Sequence, residues 1–262
     1  MRFFGLISEN SATKNYKLSK IKIWIHAVSI GETNAAIPLI RSLMDNNKEI
    51  RILLTNSTES GFKFYEETLG KENSYNSRII HSYIPYDFSW AVKNFLDFFN
   101  PHSAVFIETE IWPNFIFDLN DRDIKIILAN GRLSNKSLSR FQRLSWLSKP
   151  IMEKFSLILA QSKTDLVRFN KTGKIAKCLV SGNLKFDAKV NPKLVSQGKS
   201  WKNIIPKTVW LALSTRLGEE EKIFKVWAKF KPKKSLLIVV PRHPYRFDSV
   251  YSQANNMKLK VK

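Results

Sequence analysis

With 262 residues, 44% of them apolar, and with 18 Phe and 7 Trp, the chain can build one large core or two smaller ones and is not a disordered composition. A single cysteine, Cys178, excludes an internal disulfide scaffold, reads as a small buried residue and fits a reducing compartment. The net charge of +21 favours polyanions, but the cations are spread along the chain with no zinc-finger spacing or RNA-binding strand pair, so no nucleic-acid partner is expected.

The first segment, MRFFGLISEN, has no signal-peptide layout, and no apolar run approaches the roughly 20 residues needed to cross a bilayer. A soluble chain, or one bound only to a membrane surface, is expected. Ile21–Val28 is rich in branched and aromatic residues and reads as a strand, followed by a helix with apolar spacing over Thr33–Met44. Ile50–Thr55 is the next strand and Ser60–Leu69 the next helix; Arg78–Ile84 is strand-like and Phe88–Phe99 helical. Short strands follow at Ser103–Ile107, Ile124–Ala129, Leu157–Ala160 and Lys177–Val180. Alternation of this kind predicts a parallel sheet with helices on both faces, doubly wound if the crossovers are right-handed.

The texture changes near residue 190. Residues 191–206 are polar, lack a clear period and read as a linker. A second alternation follows, with a strand at Val209–Leu213, a helix at Glu219–Phe230 and a strand at Ser235–Val240, before a polar tail, SQANNMKLKVK. Two strands and one helix do not close a sheet domain. The expected domains are an N-terminal segment over 1–20, a Rossmann-like domain over 21–190, the linker, and an incomplete second Rossmann-like domain over 207–262.

The chemistry gathers at strand ends, where open α/β sheets bind ligands. The first strand ends in His26-Ala27-Val28-Ser29-Ile30-Gly31-Glu32. Gly31 is expected to allow a tight turn into the helix. Glu32 is either a capping carboxylate favoured by the helix dipole or a ligand-binding base. After Ser103–Ile107 comes Glu108-Thr109-Glu110-Ile111-Trp112-Pro113-Asn114, with paired acids suited to acid/base work or hydroxyl binding, or else to a structural role, and a proline suited to a first helical turn. NGRLS (130–134) and SGNLKFD (181–187) each place a cation, Arg132 and Lys185, just past a strand. Such cations can hold phosphate or carboxylate, or can be solvated surface charges. Pro241-Arg242-His243-Pro244-Tyr245-Arg246-Phe247 makes a rigid turn in which Arg242 is suited to clamp phosphate. Gly198-Lys199-Ser200 imitates the end of a P-loop, but Lys193 stands where the first glycine belongs. The four histidines lack metal-ligand spacing, and Ser29 lies in no nucleophile elbow.

HAVSIGE, PYD (85–87), ETEIWPN, NGRLS, SGNLKFD, STRLGEE (214–220) and PRHPYRF together resemble the bacterial 3-deoxy-D-manno-octulosonic acid (Kdo) transferases in order and rough spacing, from about Lys22 to Phe247. The resemblance implies an α/β fold of GT-B type, with a complete N-terminal Rossmann-like acceptor domain and the beginning of a second one for CMP-Kdo. It implies an inverting glycosyltransferase of lipopolysaccharide biosynthesis, without metal or cofactor, that moves Kdo from CMP-Kdo to lipid IVA, a lipid A precursor. Carried onto this chain, Glu32 is the general base, Glu108 and Lys185 are transition-state groups, and Pro241 and Arg242 open the CMP-Kdo set. Ser29, Gly31, Glu110 and Arg132 are further acceptor or phosphate contacts. The resemblance also implies peripheral attachment to the cytoplasmic face of the anionic inner membrane, because the family's N-terminal anchor is not seen here. Gly131 stands where Ala is usual and Arg216 where His is common. The later CMP-binding motifs, Met-Gly-Glu and Asn-Pro-Leu-Glu, are not found, so the donor site is expected to be incomplete. Two other readings stand beside this one: a non-catalytic acceptor-domain remnant that binds lipid A precursor or anionic membrane, and a GT-B transferase that uses another sugar nucleotide.

Overall fold

The computed structural model describes residues 21–187, 192–201, 205, 208–230 and 232–261. The chain divides into two compact units, residues 1–189 and 190–262. The N-terminal segment over 1–20 lies outside the described residues.

Seven parallel strands form the sheet of the first unit: β1 (Ile23–His26), β2 (Ile52–Asn56), β3 (Ile79–Tyr83), β4 (Ser103–Ile107), β5 (Lys125–Gly131), β6 (Leu157–Ala160) and β7 (Cys178–Val180). Their order across the sheet is β3-β2-β1-β4-β5-β6-β7. The chain therefore winds outward from β1 in one direction, then returns and winds outward from β4 in the other. Both faces are covered, which is why the central strands are apolar throughout rather than alternating. On one face Trp24, Leu53, Phe95, Phe106 and Phe115 belong to one core cluster; on the other, Ile25, Ile40, Ile52 and Leu54 belong to a second. Adjacent residues such as Trp24 and Ile25 point to opposite cores because strand side chains alternate.

The crossovers are α1 (Ile30–Asn46), α2 (Glu59–Glu67), α3 (Ser89–Phe99), α4 (Pro113–Asp121), the pair α5 (Asn135–Arg143) and α6 (Ser145–Met152), and α7 (Lys163–Asn170). Helix α1 begins before the expected Thr33, so Glu32 lies in its first turn. Pro113 occupies the first turn of α4, as expected, but its N-cap residue, Trp112, supplies no side-chain cap. The cap comes from Asp87 in PYD, whose two carboxylate oxygens accept the N–H groups of Asn114 and Phe115 at 3.1 and 3.0 Å. Asp87→Ala is expected to cost about 1–2 kcal/mol by removing that cap; chemical denaturation checks it, and an unchanged midpoint would remove Asp87 from the fold's supports.

The second unit contains α8 (Pro192–Trp201), the parallel pair β8 (Thr208–Thr215) and β9 (Ser235–Pro241), α9 (Glu219–Phe230) and α10 (Phe247–Asn256). Two expectations change here. The linker over 191–206, read as aperiodic, contains α8, which buries none of its residues. The polar tail contains the end of α10, where Val250 and Ala254, one turn apart, pack on Phe224 with Leu259 and Val261 behind them. Cys178 proves half-buried rather than buried, and desolvation pushes its thiol up.

Candidate active site

In this strand order the winding reverses between β1 and β4, and in an open α/β sheet such a reversal leaves a crevice at the carboxyl edge. The HAVSIGE turn leaves β1 and the ETEIWPN turn leaves β4, so their acids line the same crevice. Ser29 is the N-cap residue of α1, yet its hydroxyl accepts no backbone N–H of the helix. Its hydroxyl lies 3.3 Å from Oε1 of Glu32, and the Val28 N–H donates to Oε2 at 2.5 Å. Glu32 thus braces the turn that enters α1 and keeps its carboxylate half-buried at the end of β1. Burial pushes its pKa up to about 7; the Val28 N–H opposes this, while the charges of Glu110 and Glu108 reinforce it. Gly31 departs from its expected role. It has no positive φ, and an added Cβ would touch only the Ser29 hydroxyl at 3.8 Å. The turn does not require glycine, and Gly31 is exposed beside Glu32.

Glu108 sits immediately after β4 with φ 62°, in a left-handed conformation that non-glycine residues adopt at a cost and that recurs at functional positions. Its N–H donates to Ala129 O at 2.9 Å, and its Oε1 lies 3.7 Å from Nζ of Lys185. Both side chains are substantially exposed, so this pair contributes little to stability; its importance is that it brings a cation to the acids. Glu110 accepts the indole N–H of Trp112 at 3.0 Å, and burial pushes its carboxyl upward, with Glu108 adding to the effect. The Trp112 ring meets the buried His26 edge-to-face at 5.6 Å. His26 Nδ1 is in turn hydrogen-bonded to Thr55 Oγ1 at 2.8 Å, and Trp24 Nε1 donates to that same hydroxyl at 2.8 Å. The acids therefore rest on a rigid aromatic floor.

Lys185 reaches the site on the turn Leu184–Asp187, which packs against α1. Three residues that sequence reasoning did not single out hold this turn. Asn130, buried with φ 58°, accepts the Leu184 N–H on Oδ1 at 3.1 Å and the Gln161 Nε2–H on its carbonyl at 3.0 Å. Gln161 Oε1 accepts from Asn183 Nδ2 at 3.3 Å, and Asn183 Oδ1 accepts the Lys185 N–H at 3.0 Å. Asn130 and Asn183 lie inside quoted motifs, and for Asn130 its place at the end of β5 was the available signal. Gln161 carried none. Gly131 is buried, and an added Cβ would lie 3.0 Å from the Phe169 ring, so glycine and Phe169 are matched. Arg132 is exposed beside this cluster; its carbonyl, rather than its guanidinium, is engaged, by the Thr109 hydroxyl.

In the second unit, β8 and β9 end in STRLGEE and PRHPYRF. Pro241 is buried and Arg242 exposed, with the Arg242 N–H donating to Thr215 O at 3.0 Å. Arg246 lies 2.9 Å from each carboxylate oxygen of the buried Glu220 and also reaches Thr215 O at 3.3 Å. This brace joins the two motifs. Glu220 and Arg246 were quoted there without a role.

A family model described as 3-deoxy-D-manno-octulosonic-acid transferase (kdotransferase) matches residues 2–188. The chain belongs to this family. It is 35% identical over 237 residues to the 3-deoxy-D-manno-octulosonic acid transferase of Haemophilus influenzae, covering 87% of this chain and 53% of that one. It is 30% identical to the enzyme of that name from Bordetella pertussis, covering 88% and 54%, and 32% identical to a bifunctional glycosyltransferase/methyltransferase of Fusobacterium nucleatum, covering 87% and 35%. The chain thus spans about half the length of the curated Kdo transferases it matches. Among solved structures it is similar to UDP-GlcNAc 2-epimerase from Neisseria meningitidis, with TM-score 0.57, 11% identity, and 90% of this chain and 70% of that one covered. It is also similar to a UGT transferase from Siraitia grosvenorii, with TM-score 0.51, 10% identity, and coverage of 87% and 66%. These likenesses show the fold, the Rossmann-like α/β architecture of GT-B proteins. Among the described residues of this Kdo transferase family member, no helix is long and apolar enough to cross a membrane.

Proposed function

We propose that the first unit is the acceptor side of an inverting Kdo glycosyltransferase, with Glu32 as the base that takes the proton from a sugar hydroxyl of lipid IVA. One observation carries this reading: a carboxylate brought to about pKa 7, beside two further acids and a lysine, at the crevice where the sheet's winding reverses. A base poised near the working pH maximises both its ionised fraction and its proton affinity. The acceptor oxygen, freed of its proton, attacks the anomeric carbon of Kdo as the bond to CMP breaks, and a single displacement inverts that centre. Glu108 and Lys185 are suited to the charges that develop, a positive one on the sugar ring and a negative one on the departing phosphate. Pro241 and Arg242 belong, in this reading, to the CMP-Kdo side. The domain roles follow, with residues 21–190 taking the acceptor and 207–262 contributing to the donor site, and the anionic cytoplasmic face of the inner membrane supplies the lipid.

A second reading has its own observation. The described part of the second unit has only two strands, and Trp210, Leu211 and Leu213 of β8 are exposed. These side chains would suit a module that binds the acceptor without turnover, and they would equally suit a sheet with further strands on β8. Incubation with CMP-Kdo and radiolabelled lipid IVA separates the readings: labelled product is expected for the enzyme, and bound lipid without product identifies the module. Transfer from a UDP-sugar with none from CMP-Kdo would overturn the donor assignment.

The charge coupling can be tested without turnover. Removing a neighbouring negative charge with Glu110→Gln is expected to lower the Glu32 midpoint below about 7. Carbon NMR titration of labelled glutamate carboxyls reads this, and an unmoved midpoint would separate the two acids.

A further inference from the structure

The turn that carries Glu32 is held at each of its carbonyls. Asn56, the last residue of β2, is fully buried, and its Nδ2 lies 2.6 Å from Ala27 O and 2.8 Å from Thr33 Oγ1. The Val28 carbonyl accepts the Ser57 N–H at 3.1 Å and the Thr58 hydroxyl at 3.2 Å. The Ser29 carbonyl accepts both the N–H and the hydroxyl of Thr33, at 2.9 and 2.8 Å. With the three carbonyls tied down, the Val28 N–H donates to Glu32 at 2.5 Å. The protons of this network have one consistent order. A carbonyl only accepts, so the Asn56 atom beside Ala27 O is the amide nitrogen. Its second hydrogen goes to Thr33 Oγ1, whose own hydrogen goes to Ser29 O. Asn56 Oδ1 also only accepts, and it lies 2.9 Å from Nε2 of His81 on β3, so His81 carries a proton on Nε2 and donates it. Burial pushes the His81 ring down to about 4, which keeps it neutral near neutral pH. The rings of Phe62, Tyr65 and Tyr83 flank it at 4.3, 5.2 and 5.5 Å. Gly61, in the first turn of α2, makes room for the hub, since a Cβ there would lie 3.0 Å from Asn56 Nδ2.

We propose that His81, Asn56 and Thr33 are positioning residues for Glu32: a chain of donated hydrogen bonds running from β3 through β2 to α1 fixes the turn whose Val28 N–H holds the Glu32 carboxylate. The three side chains come from separate elements, 25 and 23 positions apart along the chain, so no local motif joins them. Each is a neutral group, and the network adds no charge of its own to the site. The charges that act on Glu32 come from Glu110 and Glu108, with Lys185 beside Glu108 on the turn packed against α1. The consequence for transfer rests on Glu32 being the base, whereas the placement of its carboxylate does not.

The Val28 N–H favours the ionised carboxylate, against burial and the neighbouring acids. Thr33→Val keeps the bulk of the side chain and removes the hydroxyl that ties Ser29 O to Asn56. The loosened turn should weaken the Val28 bond and raise the Glu32 midpoint by about one pH unit, roughly the effect of one hydrogen bond to a carboxylate. Carbon NMR titration of labelled glutamate carboxyls in the full chain reads this. Looser packing that only admits water should instead lower the midpoint towards 4.5, because burial is what raises it. Thr33→Ser, which restores the hydroxyl, should return the midpoint to about 7. Transfer by Thr33→Val should fall about fivefold at pH 7, chiefly in kcat, as the ionised fraction drops from about one-half to about one-tenth, and should recover towards pH 9. An unmoved or lowered midpoint in folded Thr33→Val, or one that Thr33→Ser does not restore, overturns the proposal. Where Thr33→Val fails to fold, His81→Phe keeps the ring stack on Phe62 and Tyr65 and removes the donor: a raised midpoint supports the chain of bonds, and a fixed or lowered one overturns it. A raised midpoint with an unmoved pH profile of transfer keeps the placement and removes Glu32 as the base.

Discussion

Glu32→Gln is expected to lower Kdo transfer by roughly 10²–10⁴-fold while leaving the fold intact, the range associated with loss of a positioned general base. Gln keeps the size of the side chain and can still accept the Val28 N–H, but it cannot take a proton. The same substitution should stabilise the protein above neutral pH. Glu32 has a folded pKa of about 7, raised from the ordinary 4.5 chiefly by burial. Its contribution to stability is therefore fully present below about pH 4.5 and is lost as pH rises through about 7. A neutral Gln escapes that loss. The melting temperature of Glu32→Gln should exceed the parent's at pH 8, and the gap should shrink towards pH 5. A gap independent of pH would show that Glu32 titrates normally and is not a tuned base. For the parent, transfer should rise with pH along an acid limb centred near 7, with the carboxyl roughly one-tenth ionised at pH 6 and nine-tenths at pH 8.

Trp24→Ala should be the more damaging change to the fold. Trp24 is fully buried in the central strand β1, and its ring meets those of Phe95, Phe106 and Phe115 at 5.1–5.4 Å. Its removal leaves a cavity that β1 cannot collapse, because neighbouring strands are hydrogen-bonded on both sides. The expected cost is about 3–5 kcal/mol. The indole also donates to Thr55, which is bonded to His26 under Trp112. A weakened floor should therefore reach Glu110 as well. Trp24→Phe should retain most of the packing and lose only the hydrogen bond. Urea denaturation of both variants checks the order, and equal destabilisation would place the effect in the hydrogen bond rather than the ring.

Strand positions were legible because residues such as Ile23 to His26 are branched or aromatic and buried on both faces. Helices with an apolar stripe, such as α3 with Ala91, Val92, Phe95 and Leu96, were legible for the same reason. Short helices with few apolar residues were not read from the sequence: α5 and α8 have no fully buried residue, and α7 buries only Asp165 and Phe169. Asp165 shows why. It accepts the Leu133 N–H at 3.0 Å, a bond across 32 positions that no local pattern encodes. Asp87, Asn130, Gln161 and Asn183 act over similar separations.

By itself the sequence determined that this protein has alternating strands and helices, that its acids and cations stand at strand ends, and that its motifs carry the family resemblance, since each of these is a property of neighbouring residues. Only the tertiary structure decided that β1 and β4 lie side by side. Parallel pairing joins segments tens of residues apart, and their order depends on how all the crossovers pack together. That adjacency brings Glu32 of one turn within the electrostatic reach of Glu108 and Glu110 of another and, with burial, gives it a pKa of about 7.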